Sequence, residues 1–181
     1  LLMLITKVRE TRHRNMFESV LLIGNQHMGA KFNVSDFYVN GYSGSNVGRE
    51  GGGGGAVCCV LLPRQWQPGL KAEVRWQVGD WSHENRAQID SGDFSSVRWK
   101  NYKALVPIEH YATPEHIGVH FFSEGRVRVV SGDAGIGGRD QIAEDIVLAA
   151  QNATRGVPID ELFTKAEMDD RRRHEPKRRQ W

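Results

Sequence analysis

The chain has 181 residues, which is enough for one domain with an apolar core but short for two. Its 24 basic and 22 acidic side chains leave a formal charge of +2, so the overall composition gives no argument for a nucleic-acid or anionic-membrane partner. Two cysteines are too few for a disulfide framework.

The first residues, Leu-Leu-Met-Leu-Ile-Thr, are apolar but form a run too short to span a bilayer or to serve as a complete signal sequence. No later segment approaches the length of a transmembrane helix, and we therefore expect no membrane span. We assign residues 1–18 to an N-terminal segment that precedes a single β-rich domain over residues 19–152.

Strands dominate the pattern of that domain. Residues 70–78 alternate strictly between apolar and polar side chains, which predicts a strand with Trp76 on its core face. Residues 56–62 are apolar at odd and even positions alike, so both faces of a strand formed there would be apolar. This predicts a central strand covered on both faces and paired in a hairpin with 70–78. Further strands are predicted at 19–23, 34–39, 103–108, 117–122 and 126–130, the last two joined by a short turn at 123–125.

Five consecutive glycines at 51–55 lead directly into the adjacent cysteines of the 56–62 segment. Such a run is typical of backbone with unusual dihedral angles or a close approach to another surface. Successive side chains on a strand point to opposite faces, so Cys58 and Cys59 are poorly placed to share a metal ion. We expect them to be two small, buried apolar side chains.

The period changes after the seventh strand. Residues 139–151 place Ile142, Ile146 and Ala150 on one face of an amphipathic helix. The expected fold is thus mainly β, an antiparallel β-sandwich of about seven strands with one C-terminal helix. The remaining residues, 153–181, are rich in charge and end in a basic cluster at 171–179, which indicates a partly disordered tail.

The sequence offers only weak candidates for a metal-binding, phosphate-binding or catalytic site. If His116 and His120 lie on one strand they share a face, but four residues separate them by about 13 Å, too far for one metal ion. The glycine-rich segment 132–138 does not match a phosphate-binding motif, and no nucleophile elbow is present. We expect no metal, no cofactor and no enzymatic activity.

The loops at 40–55 and 79–97 are rich in small polar residues, the kind of surface on which recognition is often built. Trp66 and Trp81 fall in loops and are candidates for surface contacts with a protein or a sugar. Three classes stay open on this ground: a binding protein for another protein, a small-ligand or glycan-binding β module, and a structural subunit that assembles through strand edges.

A series of short motifs resembles a known bacterial family, the domain of unknown function 3304. The resemblance covers roughly residues 33–131. It is carried by Val39-Asn40-Gly41, the glycines at 51–55, Val57-Cys58-Cys59-Val60, Leu62-Pro63, Trp66, Pro68-Gly69-Leu70, Val74-Arg75-Trp76, Val106-Pro107, Val119-His120-Phe121 and Gly125-Arg126-Val127-Arg128-Val129.

Members of that family are typically small, exported proteins encoded beside type VI secretion phospholipase effectors. The resemblance implies an immunity protein that neutralises a cognate lipase toxin in the periplasm, with a membrane anchor in a full-length form or a cytoplasmic location as alternatives. For the partner contacts we select five residues from the loops: Arg49, Glu50, Arg64, Trp66 and Trp81. Neither the toxin nor the oligomeric state follows from the sequence.

Overall fold

The described residues form ten strands in two five-stranded sheets. The structure is a computed structural model, and it describes residues 16–51, 55–132 and 143–174. The strands are β1 (Phe17–Gln26), β2 (Phe32–Val39), β3 (Tyr42–Ser43), β4 (Val57–Pro63), β5 (Lys71–Asp80), β6 (Arg98–Pro107), β7 (Ile117–Phe122), β8 (Arg126–Ser131), β9 (Thr154–Arg155) and β10 (Val157–Ile159). The described part of the chain also contains the α-helices α1 (Arg86–Asp90), α2 (Ala143–Gln151) and α3 (Lys165–His174).

The two sheets have different strand orders. Sheet 1 runs β4-β1-β7-β8-β9, and its β1–β7 pair is parallel, with Leu22 opposite Ile117. Sheet 2 runs β10-β6-β5-β2-β3 and is antiparallel throughout. The predicted mainly β sandwich is confirmed, with β3, β9 and β10 as additional short strands.

The core lies between the inner faces of the two sheets. Trp76 of β5 is fully buried, as the alternation of its strand predicts, and its ring stacks on Tyr102 with centroids 5.4 Å apart. Phe37 and Phe121 meet edge to face across the two sheets at 5.3 Å. Because aromatic side chains bury large apolar areas, these rings provide much of the contact between the sheets.

Two predictions about residues 56–62 are wrong. The strand β4 pairs with β1 at the edge of sheet 1, while β5 belongs to sheet 2, so the two strands do not form a hairpin. Instead of being covered on both faces, β4 exposes Leu61 by 51%. The turn at 63–69 carries the chain from one sheet to the other. The predicted hairpin of β7 and β8 does form, with residues 123–125 as its connection.

The cysteines also differ from the expectation of two buried thiols. Cys58 and Cys59 are joined to each other by a disulfide, Cys58 is exposed and Cys59 is half-buried. Both lie on the edge strand β4 and not in the core. Of the glycine run that precedes them, residues 52–54 lie outside the described part of the chain.

The helix predicted at 139–151 is present as α2 over its described part, while 139–142 and the glycine-rich segment from 133 lie outside the described residues. The segment assigned to the tail carries β9, β10 and α3 between 154 and 174. The N-terminal residues 1–15 and the last residues, 175–181, are also outside the description. Across the described residues, the structure contains no helix of the length and apolarity that a bilayer crossing requires.

Candidate partner-binding surface

Five side chains meet at one end of sheet 2, where β5 ends and β6 begins. We call this group the Trp81 surface, and it consists of Arg49, Trp81, Glu84, Phe94 and Trp99. The pairing of β5 with β6 sets Gly79 opposite Trp99 and Asp80 opposite Arg98, which brings the start of β6 back beside the residue that follows β5. The intervening loop, with helix α1, returns Phe94 to the same place.

The three aromatic rings pack edge to face around Trp81. Its ring centroid lies 6.1 Å from that of Phe94 and 6.2 Å from that of Trp99, at interplanar angles of 84° and 77°. The indole Nε1 donates a hydrogen bond of 2.7 Å to Asn33 Oδ1 on β2, and the backbone N–H of Trp81 donates to Lys31 O. Edge-to-face geometry is favourable for aromatic pairs, and the two hydrogen bonds fix the central ring.

Arg49 covers the Trp81 ring from the loop after β3. Its guanidinium carbon is 5.2 Å from the ring centroid, within the range of a cation–π contact. The guanidinium also donates two bonds, of 3.1 and 3.2 Å, to the carboxylate of Glu84, and its Nε donates to Ala30 O at 2.7 Å. A bidentate arginine–carboxylate pair fixes orientation as well as position. The arginine is therefore held in one place while about a third of its side chain remains exposed.

A buried glutamine holds the loop that carries Arg49. Gln26 is 3% exposed, and its Nε2 lies within 3.3 Å of the backbone oxygens of Gly29, Phe32, Gly48 and Arg49. Its Oε1 accepts a bond of 2.7 Å from Met28 N. One side chain thus links the β1–β2 turn to the loop before β4, because buried carbonyls require hydrogen-bond donors.

A glycine makes room for the rings. A Cβ atom at Gly79 would lie 2.7 Å from Trp99 Cζ3 and 3.1 Å from Trp81 Nε1, closer than carbon atoms pack. The absence of a side chain at this position of β5 lets the two tryptophans close over the strand.

The outer part of the Trp81 surface is open to solvent. Phe94 is 48% exposed and Trp99 is 41% exposed. Solvent-exposed aromatic rings next to a preorganised arginine are the residue types that contribute most to protein–protein binding energy. Tryptophan rings can equally stack on the apolar face of a sugar. The arrangement is therefore suited to binding, by contacts whose geometry exists before a partner arrives.

The five predicted contact residues are divided between two ends of the molecule. Arg49 and Trp81 are in contact, and the exposed Glu50 follows Arg49 in its loop. Arg64 forms a 2.7 Å ion pair with Glu18 at the start of β1. Since Gln26, beneath Arg49, is eight residues further along β1, the two arginines are separated by roughly 26 Å of strand.

Trp66 lies on Arg64's side and faces inward. It packs against the core, and its Nε1 donates a 2.8 Å bond to Ile108 O. Its ring also meets His110 edge to face at 5.0 Å. The structure therefore gives Trp66 a packing role, and a direct contact of this side chain with a partner stays a prediction.

Three members of the Trp81 surface were not selected from the sequence: Glu84, Phe94 and Trp99. All three lie in or beside the loop 79–97, which its composition marks as a recognition loop. The sequence shows the aromatic residues at the two ends of this loop, but it does not show that the ends of a loop of about twenty residues lie side by side. Only the β5–β6 register shows that Trp81 and Trp99 meet.

Two histidines pair with each other on the outer face of sheet 1. His120 faces the outer side of β7 and its Nδ1 is 2.9 Å from His27 Nε2, with the rings stacked at an interplanar angle of 7°. No three His, Cys, Asp or Glu side chains within 16–51, 55–132 and 143–174 converge as ligands for one ion.

Comparison with known protein families gives a match over the centre of the chain. The family described as Protein of unknown function (DUF3304) matches residues 28–129, more than half of the chain. The matched range runs from the β1–β2 turn to β8 and includes every member of the Trp81 surface. No curated protein and no solved structure matches the chain at a significant level.

Proposed function

Because this chain belongs to the family described as Protein of unknown function (DUF3304), we propose that it is an immunity protein that binds and neutralises a type VI secretion phospholipase effector. The class of partner, a phospholipase effector, is inferred from the resemblance described in the sequence analysis. The exposed, preorganised Trp81 surface is the observation that supports binding to another protein as the mode of action.

Neutralisation by contact requires no chemistry from the inhibitor. An interfacial lipase is inactive when the entrance to its active site is covered or when its lid cannot move. Exposed Trp99 and Phe94 can enter an apolar entrance, and Arg49, already paired with Glu84, can add a hydrogen bond at the rim. Because Gln26 and Asn33 hold the surface from below, little side-chain entropy is lost on binding. In this proposal the protein acts in the periplasm.

The first experiment measures the complex directly. The purified protein is mixed with the lipase encoded beside it, complex formation is measured by calorimetry, and phospholipase activity is measured with increasing inhibitor. We expect a stoichiometric complex and a parallel loss of activity. Absence of binding to this lipase contradicts the proposal.

Two alanine variants locate the contact. Trp99→Ala removes a partly exposed ring, and we expect the dissociation constant to rise by about thirtyfold, the effect of losing an interface hot spot of about 2 kcal/mol. Arg64→Ala is the comparison, since Arg64 was also selected from the sequence as a contact residue but lies at the far end of β1 from the Trp81 surface. We expect Arg64→Ala to change the dissociation constant by less than about threefold. The reverse order of effects would place the contact at the other end of the sandwich.

One observation favours a second candidate, a glycan-binding β module. On the outer face of sheet 2, Trp99 is followed two residues later by Asn101, whose Oδ1 accepts a 2.9 Å bond from Gln77 Nε2. The Trp99 ring and the two side-chain amides lie about 7 Å apart on one face of the sheet. A sugar can stack on the ring while its hydroxyl groups form hydrogen bonds with the amides. Binding of soluble oligosaccharides, lost in Trp99→Ala, together with no binding to the lipase would favour this candidate.

A further inference from the structure

Helix α2 covers part of the outer face of sheet 1. Two arginines of β8 reach its last turn: Arg128 Nη1 donates to Ala149 O at 3.3 Å and Arg126 Nη1 donates to Ala150 O at 3.4 Å. Cationic side chains at a helix C-terminus satisfy its free carbonyls and its dipole. The two arginines are two residues apart on one strand, so they fasten the helix across the sheet.

A cavity of about 330 Å³ remains between α2 and the sheet. Its apolar wall comes from Phe122 at the end of β7 and from Ile146 and Val147 of α2. Its polar lining includes His27, Glu124 and Arg126. This volume is within the range of small-molecule sites, and the lining combines an apolar wall with a few polar groups.

The guanidinium of Arg126 forms only long contacts with the described residues around this cavity, so its N–H groups can donate to a ligand. Its described contacts are the long bond to Ala150 O and an ion pair to Glu124 at 3.9 Å. Its neighbour Arg128 contrasts with it, because Arg128 holds Glu109 by two bonds, of 2.6 and 2.8 Å. Glu124 is also shared with Arg155 at 3.4 Å. Among the described residues, this group of two arginines and one carboxylate has a net charge of +1, which a ligand anion can neutralise.

His27 adds a second polar group to the lining. Its Nε2 is engaged with His120 Nδ1, and among the described residues its Nδ1 has no protein partner. In the tautomer in which His120 donates across the pair, His27 carries its proton on Nδ1 and can donate it to an anion. The stacked contact with Phe122, at a centroid distance of 4.9 Å, fixes the imidazole ring beside the apolar wall.

We propose that this cavity binds a medium-chain fatty carboxylate. The carboxylate accepts hydrogen bonds from Arg126 and His27, and the alkyl chain lies against Phe122, Ile146 and Val147. A singly charged carboxylate fits better than a phosphate dianion, because the described groups Arg126, Arg155 and Glu124 sum to a single positive charge and the charged acceptor that Arg126 now has is the carboxylate of Glu124. The proposal is independent of the lipase proposal, since no residue of the Trp81 surface lines the cavity.

The test is an NMR titration of the isotope-labelled protein with octanoate. We expect saturable shifts of the amide signals of His27, Phe122 and Val147. Acetate carries only the head group and octanol only the chain, so both should bind at least about tenfold more weakly than octanoate. Equal affinities for octanol and octanoate, tighter binding of octyl phosphate, or shifts confined to another region would overturn the proposal.

Three variants separate binding from folding. Arg126→Gln should weaken octanoate binding at least about tenfold, because a charge-assisted hydrogen bond is lost. Arg86→Gln is the matched control, since Arg86 is an exposed arginine that pairs with Asp90 in α1 and does not line the cavity, and it should change the affinity by less than about twofold. Val147→Glu places a negative charge at a position that is already 61% exposed, so the fold should persist while binding is lost. Unchanged affinity in either Arg126→Gln or Val147→Glu contradicts the proposal.

Discussion

Single buried polar side chains fix the local geometry at several points of this protein. The Nε2 of Gln26 lies within hydrogen-bond distance of four carbonyl oxygens, which share its two N–H donors, and His27 and His120 form a stacked pair on sheet 1. Burial lowers the pKa of His120 to about 3, with the neighbouring His27, Arg128 and His116 acting in the same direction. Burial also lowers the pKa of His27. Both imidazoles are therefore neutral in the folded protein at neutral pH.

This histidine pair should make the protein less stable in mild acid. In the unfolded chain each histidine binds a proton near pH 6.5, whereas in the folded protein His120 does so only near pH 3. The unfolded state thus gains protons first as the pH falls, and the free energy of unfolding should decrease by roughly 1.4 kcal/mol per pH unit for each such histidine.

Urea unfolding at pH 7, 6 and 5 measures that slope. The variant His120→Gln should flatten it, because the substitution removes the buried imidazole whose pKa is lowered to about 3. An equal slope in His120→Gln and in the unmodified protein would show that His120 is not the titrating group.

At the scale of elements, the segment 160–174 is held on the outer face of sheet 2 by several contacts, and those of Arg75 are the most numerous. Arg75 is 8% exposed and donates two bonds, of 2.8 and 3.1 Å, to the carboxylate of Glu167 in α3. The same guanidinium donates to Leu162 O at 2.7 Å and lies 4.6 Å from the ring of Phe163. The guanidinium carbon of Arg171 in α3 lies 4.5 Å from the centroid of the same Phe163 ring. The arginine beside it lowers the pKa of Glu167 to about 2.

Removing this carboxylate should release α3 without unfolding the sandwich. We expect Glu167→Ala to speed proteolytic cleavage within 160–174 severalfold, and to change the global free energy of unfolding by no more than about 1 kcal/mol, since the pair is partly exposed. Limited proteolysis with mass spectrometry locates the cuts. Asp169→Ala, which breaks only exposed pairs within α3, is the control and should not speed cleavage.

At the scale of the whole molecule, β9 and β10 connect the two sheets. β9 pairs with β8 in sheet 1 and β10 with β6 in sheet 2, with Gly156 between them. Gly156 N donates to Gly125 O at 2.8 Å. A Cβ atom at Gly156 would lie 2.5 Å from Cη2 of the buried Trp76, so the backbone passes directly over the largest side chain of the core.

A methyl group at this crossing should therefore displace the core. We expect Gly156→Ala to lower the free energy of unfolding by about 1–3 kcal/mol, the effect of overpacking a filled interior. Gly48→Ala is the control, because a Cβ atom there meets nothing within 4 Å, and its effect should stay within about 0.5 kcal/mol. Equal effects of the two substitutions in urea unfolding would contradict this account of Gly156.

The local pattern of side chains indicated where the seven longer strands form and, for β5, which face is buried. Alternation placed Trp76 in the core, and the short turn at 123–125 identified the β7–β8 hairpin, because both depend on residues near one another in the chain. Two adjacent apolar runs, in contrast, led to a hairpin that does not exist. Periodicity shows which side chains avoid water, but it does not show which backbones exchange hydrogen bonds.

Pairing between distant segments decided the rest. The sequence identified Arg49 and Trp81 as candidates for contact with a partner, yet it could not show that Glu84, Phe94 and Trp99 join them, or that Arg64 lies at the far end of β1. Those placements depend on the β5–β6 register and on Gln26 binding carbonyls up to 23 residues away. The energy of such contacts is gained only when the two sheets pack, so the tertiary structure alone determined where the candidate site lies.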